Sequence, residues 1–190
     1  MNSAKILLAS TQYNEYCTEM VQYWLNLLTS MRTLDKEDQL GAINKNINHT
    51  IRYATDESVW GENDYWATPL EVFAKGQGDC EDIAILKMIS LLELGWDKDT
   101  LRLHYVKAKM GSESLAHMVL AYHEDSNSSP LILDCMISSI RSLDARPDLT
   151  SVYSFNMENL WVDNILTEHS PRDRMSKWNA LIDRMLKEMY

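Results

Sequence analysis

The chain has 190 residues, 45% hydrophobic and 24% charged, with a formal net charge of −10. That length allows one domain with a sizeable core, or two small packed lobes. The negative balance, with no basic stripe to neutralise phosphates, argues against general nucleic-acid binding, and no apolar run approaches the roughly 20 residues that cross a bilayer.

The first residues, MNSAKILLAS, carry one lysine and a short apolar stretch ending at Ala9. This is too short for a secretory signal, so the chain reads as cytosolic or as one whose targeting segment has been removed. From Tyr13 to Met31, apolar residues recur at Tyr13, Tyr16, Met20, Tyr23, Leu27 and Met31, with Trp24 and Leu28 widening the stripe. This spacing predicts a helix burying one face. Leu40, Ile43, Ile47 and Ile51 predict a second helix over 36–53. Residues 55–69 read as a polar, aromatic-rich loop, with a short helix after Pro69. Gly76 and Gly78 then break the chain. The stretch IAILKMISLLEL is apolar on several faces and ends at Gly95, so a buried central helix is expected to open at Cys80.

Beyond Gly95 the period becomes two. Segments 101–109, 116–124 and 130–137 are strand candidates. The polar turns 110–114 and 125–129 imply an antiparallel meander. A closing helix starts at Ser170-Pro171, with Asp173 completing a capping box and Met175, Trp178, Ile182, Met185 and Met189 as its stripe. The plan is α+β in a single domain: a mainly helical lobe (1–75), a central helix with its sheet (76–165) and the closing helix (170–190).

Chemistry gathers around Cys80. A thiol at a helix N-terminus is placed to ionise, but a cysteine nucleophile also needs a base, and the base an orienting group. Of the five histidines, His49 lies in the helical half, His169 precedes the last helix, and His104, His117 and His123 lie on strands. Alternation puts His117 with Val119 and Ala121 on one face, and Asp134 with Ile132. If these strands pair across the 125–129 turn, the start of one meets the end of the other, and His117 and Asp134 become neighbours. Each signal alone is common in structural roles; their joint order supports a Cys80–His117–Asp134 triad. Cys135 alternates with Asp134 and is expected on the opposite face. With three cysteines, at least one thiol is free.

The block DYWATPLEVFAKGQGDCEDIAILK (64–87), with HMVL (117–120) and LILDC (131–135), resembles the bacterial transglutaminase-like cysteine proteinases of the LapG type. The resemblance runs from about residue 36 to 165. It implies a papain-like, transglutaminase-type core with Cys80 as nucleophile, His117 as base and Asp134 as orienter. It also implies calcium beside the cysteine. Calcium takes six to eight oxygen ligands, and Asp79, Glu81 and Asp82 would offer carboxylates; the plainer reading is that they complement the helix dipole. The Cys80 amide, with Gln77 or the Trp66 indole N–H, would form the oxyanion hole. Trp60, Tyr65 and Trp66 otherwise read as core or groove aromatics. The resemblance implies a periplasmic endopeptidase that cuts a large biofilm adhesin near its N-terminus, at a double-alanine site, so that its release disperses the biofilm. It implies sequestration by the periplasmic domain of a LapD-type inner-membrane cyclic-di-GMP receptor. The alternatives are a transglutaminase-like acyl transferase and a non-enzymatic calcium-dependent binding module.

Overall fold

The computed structural model describes residues 3–125 and 127–189, without the side chain of Met189, so that part of the expected closing stripe and Ser126 of the 125–129 turn lie outside the described residues. The N-terminal stretch folds as α1 (Ser3–Ser10), which burial of Ile6 holds against the core and which hydropathy alone did not reveal. Helix α2 (Glu15–Met31) starts at Asn14, whose side chain accepts from the Cys17 N–H at 2.7 Å. Its buried face is Cys17, Val21, Trp24, Leu28 and Met31, whereas Tyr13, Tyr16 and Tyr23 are exposed. The expected stripe is therefore rotated: amphipathic tyrosines satisfy the same spacing while their side chains stay partly exposed. Helix α3 (Lys36–Thr50) starts where its spacing predicted, capped by Asp35, but ends at Thr50 rather than running to residue 53, because Arg52 and Tyr53 join a strand.

The supposed loop 55–69 contains α4 (Asp56–Trp60). Helix α5 (Pro69–Lys75) begins with a full Thr68–Glu71 capping box. Between α3 and α4 lies β1 (Arg52–Tyr53), which pairs in parallel with β2 (Gln77–Gly78) and ties the end of α3 to the glycine turn before Cys80. Helix α6 (Cys80–Glu93) is buried along nearly its whole length, from Ile83 to Leu91, and packs against α3, α5 and the sheet. It is the central helix that its all-round apolarity implied.

The sheet contains β3 (Leu101–Met110), β4 (Glu113–Tyr122), β5 (Leu131–Leu133), β6 (Arg141–Ser142), β7 (Leu149–Phe155), β8 (Leu160–Val162) and β9 (Ile165–Leu166). Its order is β6-β5-β4-β3-β7-β8-β9, antiparallel throughout. The predicted three-strand meander is its centre. The last four strands escaped notice because they are short or, in β7, polar and interrupted by a register shift opposite Tyr105/Val106. Leu101, Leu103, Met118, Leu120, Leu133 and Phe155 face the helices, and Val106, Ala108, Val119, Ala121, Ile132 and Leu149 form a second cluster behind. The closing helix is split into α7 (Pro171–Arg174), with the expected Ser170–Asp173 box, and α8 (Ser176–Met189), which buries Trp178 and Leu181.

Candidate active site

Two glycines steer the chain into α6 for different reasons. Gly76 has φ +62°, a left-handed conformation that closes α5. Gly78 has no room for a side chain: a Cβ there would lie 2.8 Å from both Cβ and Oδ2 of Asp82. The next residue, Asp79, caps α6 in a reciprocal box. Its Oδ1 accepts from the N–H groups of Glu81 (3.1 Å) and Asp82 (3.5 Å), while Asp82 Oδ2 accepts from the Asp79 N–H at 3.4 Å.

A second acid layer surrounds this cap. Asp82, 1% exposed, also accepts from the Ala67 N–H at 2.7 Å. Asp56, at the start of α4, accepts from the Tyr65 N–H at 2.6 Å through Oδ2, while its buried Oδ1 has no partner among the described residues. One oxygen each of Asp56, Asp79 and Asp82 lies within 4.8 Å of the others. Burial, then the charges of Glu81, Asp82 and Asp56, pushes Asp79 up to about 9. Burial is the main cause that lifts Asp82 to about 8, and it raises Asp56 too. Three carboxylates crowded out of water and short of donors are suited to a hard cation. Of the three expected ligands, Asp79 and Asp82 thus meet Asp56, a residue hidden in a segment read as loop. The third, Glu81, accepts from the Cys80 thiol at 2.7 Å, and one of its carboxylate oxygens lies within 4.8 Å of ligand atoms of both Asp79 and Cys80.

Cys80 is 7% exposed. Burial, then Glu81 and Asp79, drives its thiol far above the ordinary range, and the backbone N–H of Met118 acts the other way. The sulfur therefore meets β4 one residue beyond His117. His117 Nε2 lies 2.8 Å from Asp134 Oδ1, so the strand pairing brings these two together as alternation predicted. The register behind this is Leu120 opposite Leu133 and Ala121 opposite Ile132. Bonding Nε2 to the carboxylate leaves Nδ1 as the second nitrogen of the ring.

Asp134 is fully buried. It also accepts from the Met136 N–H (2.9 Å) and, through Oδ2, from Arg146 Nη2 (2.8 Å). Burial alone would raise its carboxyl; the His117 bond and charge, with Met136 and Arg146, outweigh this and hold it at about 2. Arg146 comes from an irregular stretch before β7, and no local pattern in the sequence marks it. Cys135 is not across the strand from Asp134. β5 ends at Leu133, the alternation stops there, and the Cys135 sulfur lies within 4.8 Å of ligand atoms of both His117 and Asp134. Burial and the Asp134 charge push its thiol up to about 12.

Beside this pair opens a cleft of about 440 Å³, whose lining includes Tyr53, Ala108, Met110, Leu115, Ala116 and Met136. The other histidines stand apart. His104 and His123 contact each other through Nε2 at 3.0 Å, and His49 and His169 are exposed. Gln77 is half-buried in β2. Trp66 stacks on Phe155 and meets the edge of Trp178, a core position, with its indole N–H unpartnered among the described residues.

A family model described as bacterial transglutaminase-like cysteine proteinase matches residues 5–165. No curated protein matches the chain. Among solved structures, Legionella pneumophila LapG is 36% identical, with a TM-score of 0.84 over 97% of this chain and 98% of its own. Its EGTA-treated form aligns with a TM-score of 0.85 at 36% identity over the same shares. Its calcium-bound form aligns at 0.83 and 37% over 97% and 99%.

Proposed function

The chain belongs to the bacterial transglutaminase-like cysteine proteinase family, and on that premise we propose that it is a calcium-dependent endopeptidase using Cys80, His117 and Asp134. The observation that carries the triad is the buried His117–Asp134 bond beside the strand residue that meets the Cys80 sulfur. Calcium is the ion in the related LapG, and the Asp56, Asp79 and Asp82 oxygens would hold it here. Bound there, it would offset the carboxylate charge that now keeps the Cys80 thiol protonated.

In the proposed cycle, His117 Nδ1 takes the thiol proton and Asp134 stabilises the imidazolium through Nε2. The Cys80 sulfur attacks the scissile carbonyl carbon. The resulting oxyanion is met by the Cys80 N–H, with Gln77 or Trp66 as the second donor. His117 returns the proton to the leaving amine as the C–N bond breaks. A water molecule, deprotonated by His117, then cleaves the thioester and frees the carboxylic acid and the thiol.

The substrate in this reading is a large cell-surface adhesin, cut near its N-terminus at a double-alanine site in the periplasm, which releases it and disperses the biofilm. The periplasmic domain of a LapD-type cyclic-di-GMP receptor is its sequestering partner. These three assignments rest on the family likeness. The small and apolar lining of the cleft, Ala108, Ala116 and Leu115, suits short apolar side chains.

The test is to incubate the protein with an N-terminal adhesin fragment and an amine, and to weigh the products. Two fragments, lost in Cys80→Ala and in EGTA and restored by calcium better than by magnesium, would support the reading. A mass gain from the amine would replace proteolysis by acyl transfer, and an unaltered substrate would leave a binding module.

A further inference from the structure

Asp134 sits where no ladder orients it, because β5 ends one residue earlier. A carboxylate held only at Oδ1 could swing about its last torsion. Here Oδ2 is held as well, by Arg146 Nη2 at 2.8 Å. Arg146 is 3% exposed, and its backbone is fixed by a turn: its N–H donates to Leu143 O (2.9 Å) and its carbonyl accepts from Leu149 N (3.0 Å).

Its Nε and the same Nη2 also bind a second acid, while Nη1 is buried without a partner among the described residues. Arg146 Nε lies 2.9 Å from Asp148 Oδ1, and Nη2 lies 2.7 Å from Asp148 Oδ2. Asp148 is anchored in turn, its carbonyl accepting from Lys109 N at 2.7 Å at the far end of β3. The charges therefore alternate along one line: imidazole, Asp134, Arg146, Asp148. A planar, permanently charged fork suits this bridging better than a lysine ammonium. Because Asp148 balances the guanidinium, Arg146 can aim Asp134 without cancelling the charge that the imidazolium needs.

We propose that Arg146 is a positioning residue for the reaction, holding Asp134 on His117 Nε2 while Asp148 compensates its charge. The proposal rests on the triad reading above. It requires Arg146 to act only through Asp134, which a residue that merely stabilises the fold would not do.

The experiment is a double-mutant cycle of Arg146→Met and Asp134→Asn in calcium-loaded protein. Two readouts are followed, peptide cleavage and alkylation of Cys80 by iodoacetamide. Arg146→Met is expected to lower kcat about tenfold or more with KM changed less than twofold, and to slow alkylation in step. In the Asp134→Asn background the same change should cost less than twofold in either readout. Arg146→Lys, which keeps the charge and loses the fork, should recover part of the rate. If Arg146→Met does not fold, Arg146→Lys takes its place in the cycle, with a several-fold loss expected that vanishes in Asp134→Asn. Equal losses in both backgrounds, or unchanged kcat with only a lower Tm, would overturn the proposal. Alkylation needs no peptide, so a wild-type protein that cuts nothing would refute the proposed function while the cycle still reads Arg146.

Discussion

His117 and Asp134 share one hydrogen bond but not one task. In the proposed mechanism the imidazole moves the proton, while the carboxylate fixes its tautomer and steadies its charge. His117→Ala should therefore abolish cleavage, and Asp134→Asn should leave measurable residual activity. Equal loss in two folded variants would count against this division. The cysteines separate in the same way. Cys135 lies next to the pair, but it follows the end of β5, whereas Cys80 opens α6, where the helix N-terminus and a bound cation would favour a thiolate. Cys135→Ala is expected to keep most activity and Cys80→Ala none, measured by product mass under one calcium concentration.

Helix α6 carries two features whose energies can be read separately. At its entrance, Gly78 clears the space that Asp82 fills. Gly78→Ala should displace the Asp82 carboxylate, weaken calcium binding in calorimetry at least tenfold and leave Cys80 in place. Undiminished calcium affinity would show that Asp82 is no ligand. Deeper in the helix, Lys87 is fully buried and its Nζ has no hydrogen-bond partner among the described residues. Burial holds its ammonium down at about 8, partly offset by Cys135 and Asp134. The displacement from 10.5 to about 8 corresponds to roughly 3 kcal/mol against folding at neutral pH. Between pH 8 and 10.5 the unfolded chain holds the proton that the folded one has lost, so this penalty fades as pH rises. Lys87→Met, of similar volume, should raise Tm by several degrees at pH 7 and much less at pH 10. A gain independent of pH would mean that the ammonium is not its source.

At the scale of the molecule, the acid cluster is stitched from distant parts of the chain. Asp56 comes from α4, and Asp82 is held by the Ala67 N–H. The segment 64–68 is in turn gripped by α8. Lys177 pairs with Asp64, Arg184 donates to the Trp66 carbonyl, and Glu188 accepts from Thr68 at 2.6 Å. Trp178 completes the grip against Trp66 and Phe155. Trp178→Ala should cost about 3–5 kcal/mol and also weaken calcium binding, although it lies outside the cluster. Calcium at a hundredfold its Kd should stabilise the wild type by about 2.7 kcal/mol, an increment lost in Asp56→Asn. A calcium-dependent Tm shift that survives Asp56→Asn would exclude that carboxylate.

Local pattern alone determined much of this. The apolar steps of α3 and α6, the capping box at Ser170 and the two-residue period of β3 and β4 all act over a few neighbouring residues, so they are written in consecutive letters. The nearness of His117 to Asp134 was legible because two adjacent strands joined by one turn leave little choice of partner. Asp56 and Arg146 were not legible. Asp56 opens a short helix within a stretch that reads as loop, Arg146 sits in an irregular one, and each matters only because of what the fold sets against it, Asp79 and Asp82 in one case and Asp134 in the other. The phase of α2 was undecided for a related reason, since tyrosines and aliphatic residues offer the helix two apolar stripes and only packing against the core selects between them. Cys135 was also settled in three dimensions, because a side chain's direction follows alternation only while a strand continues, and β5 ends at Leu133.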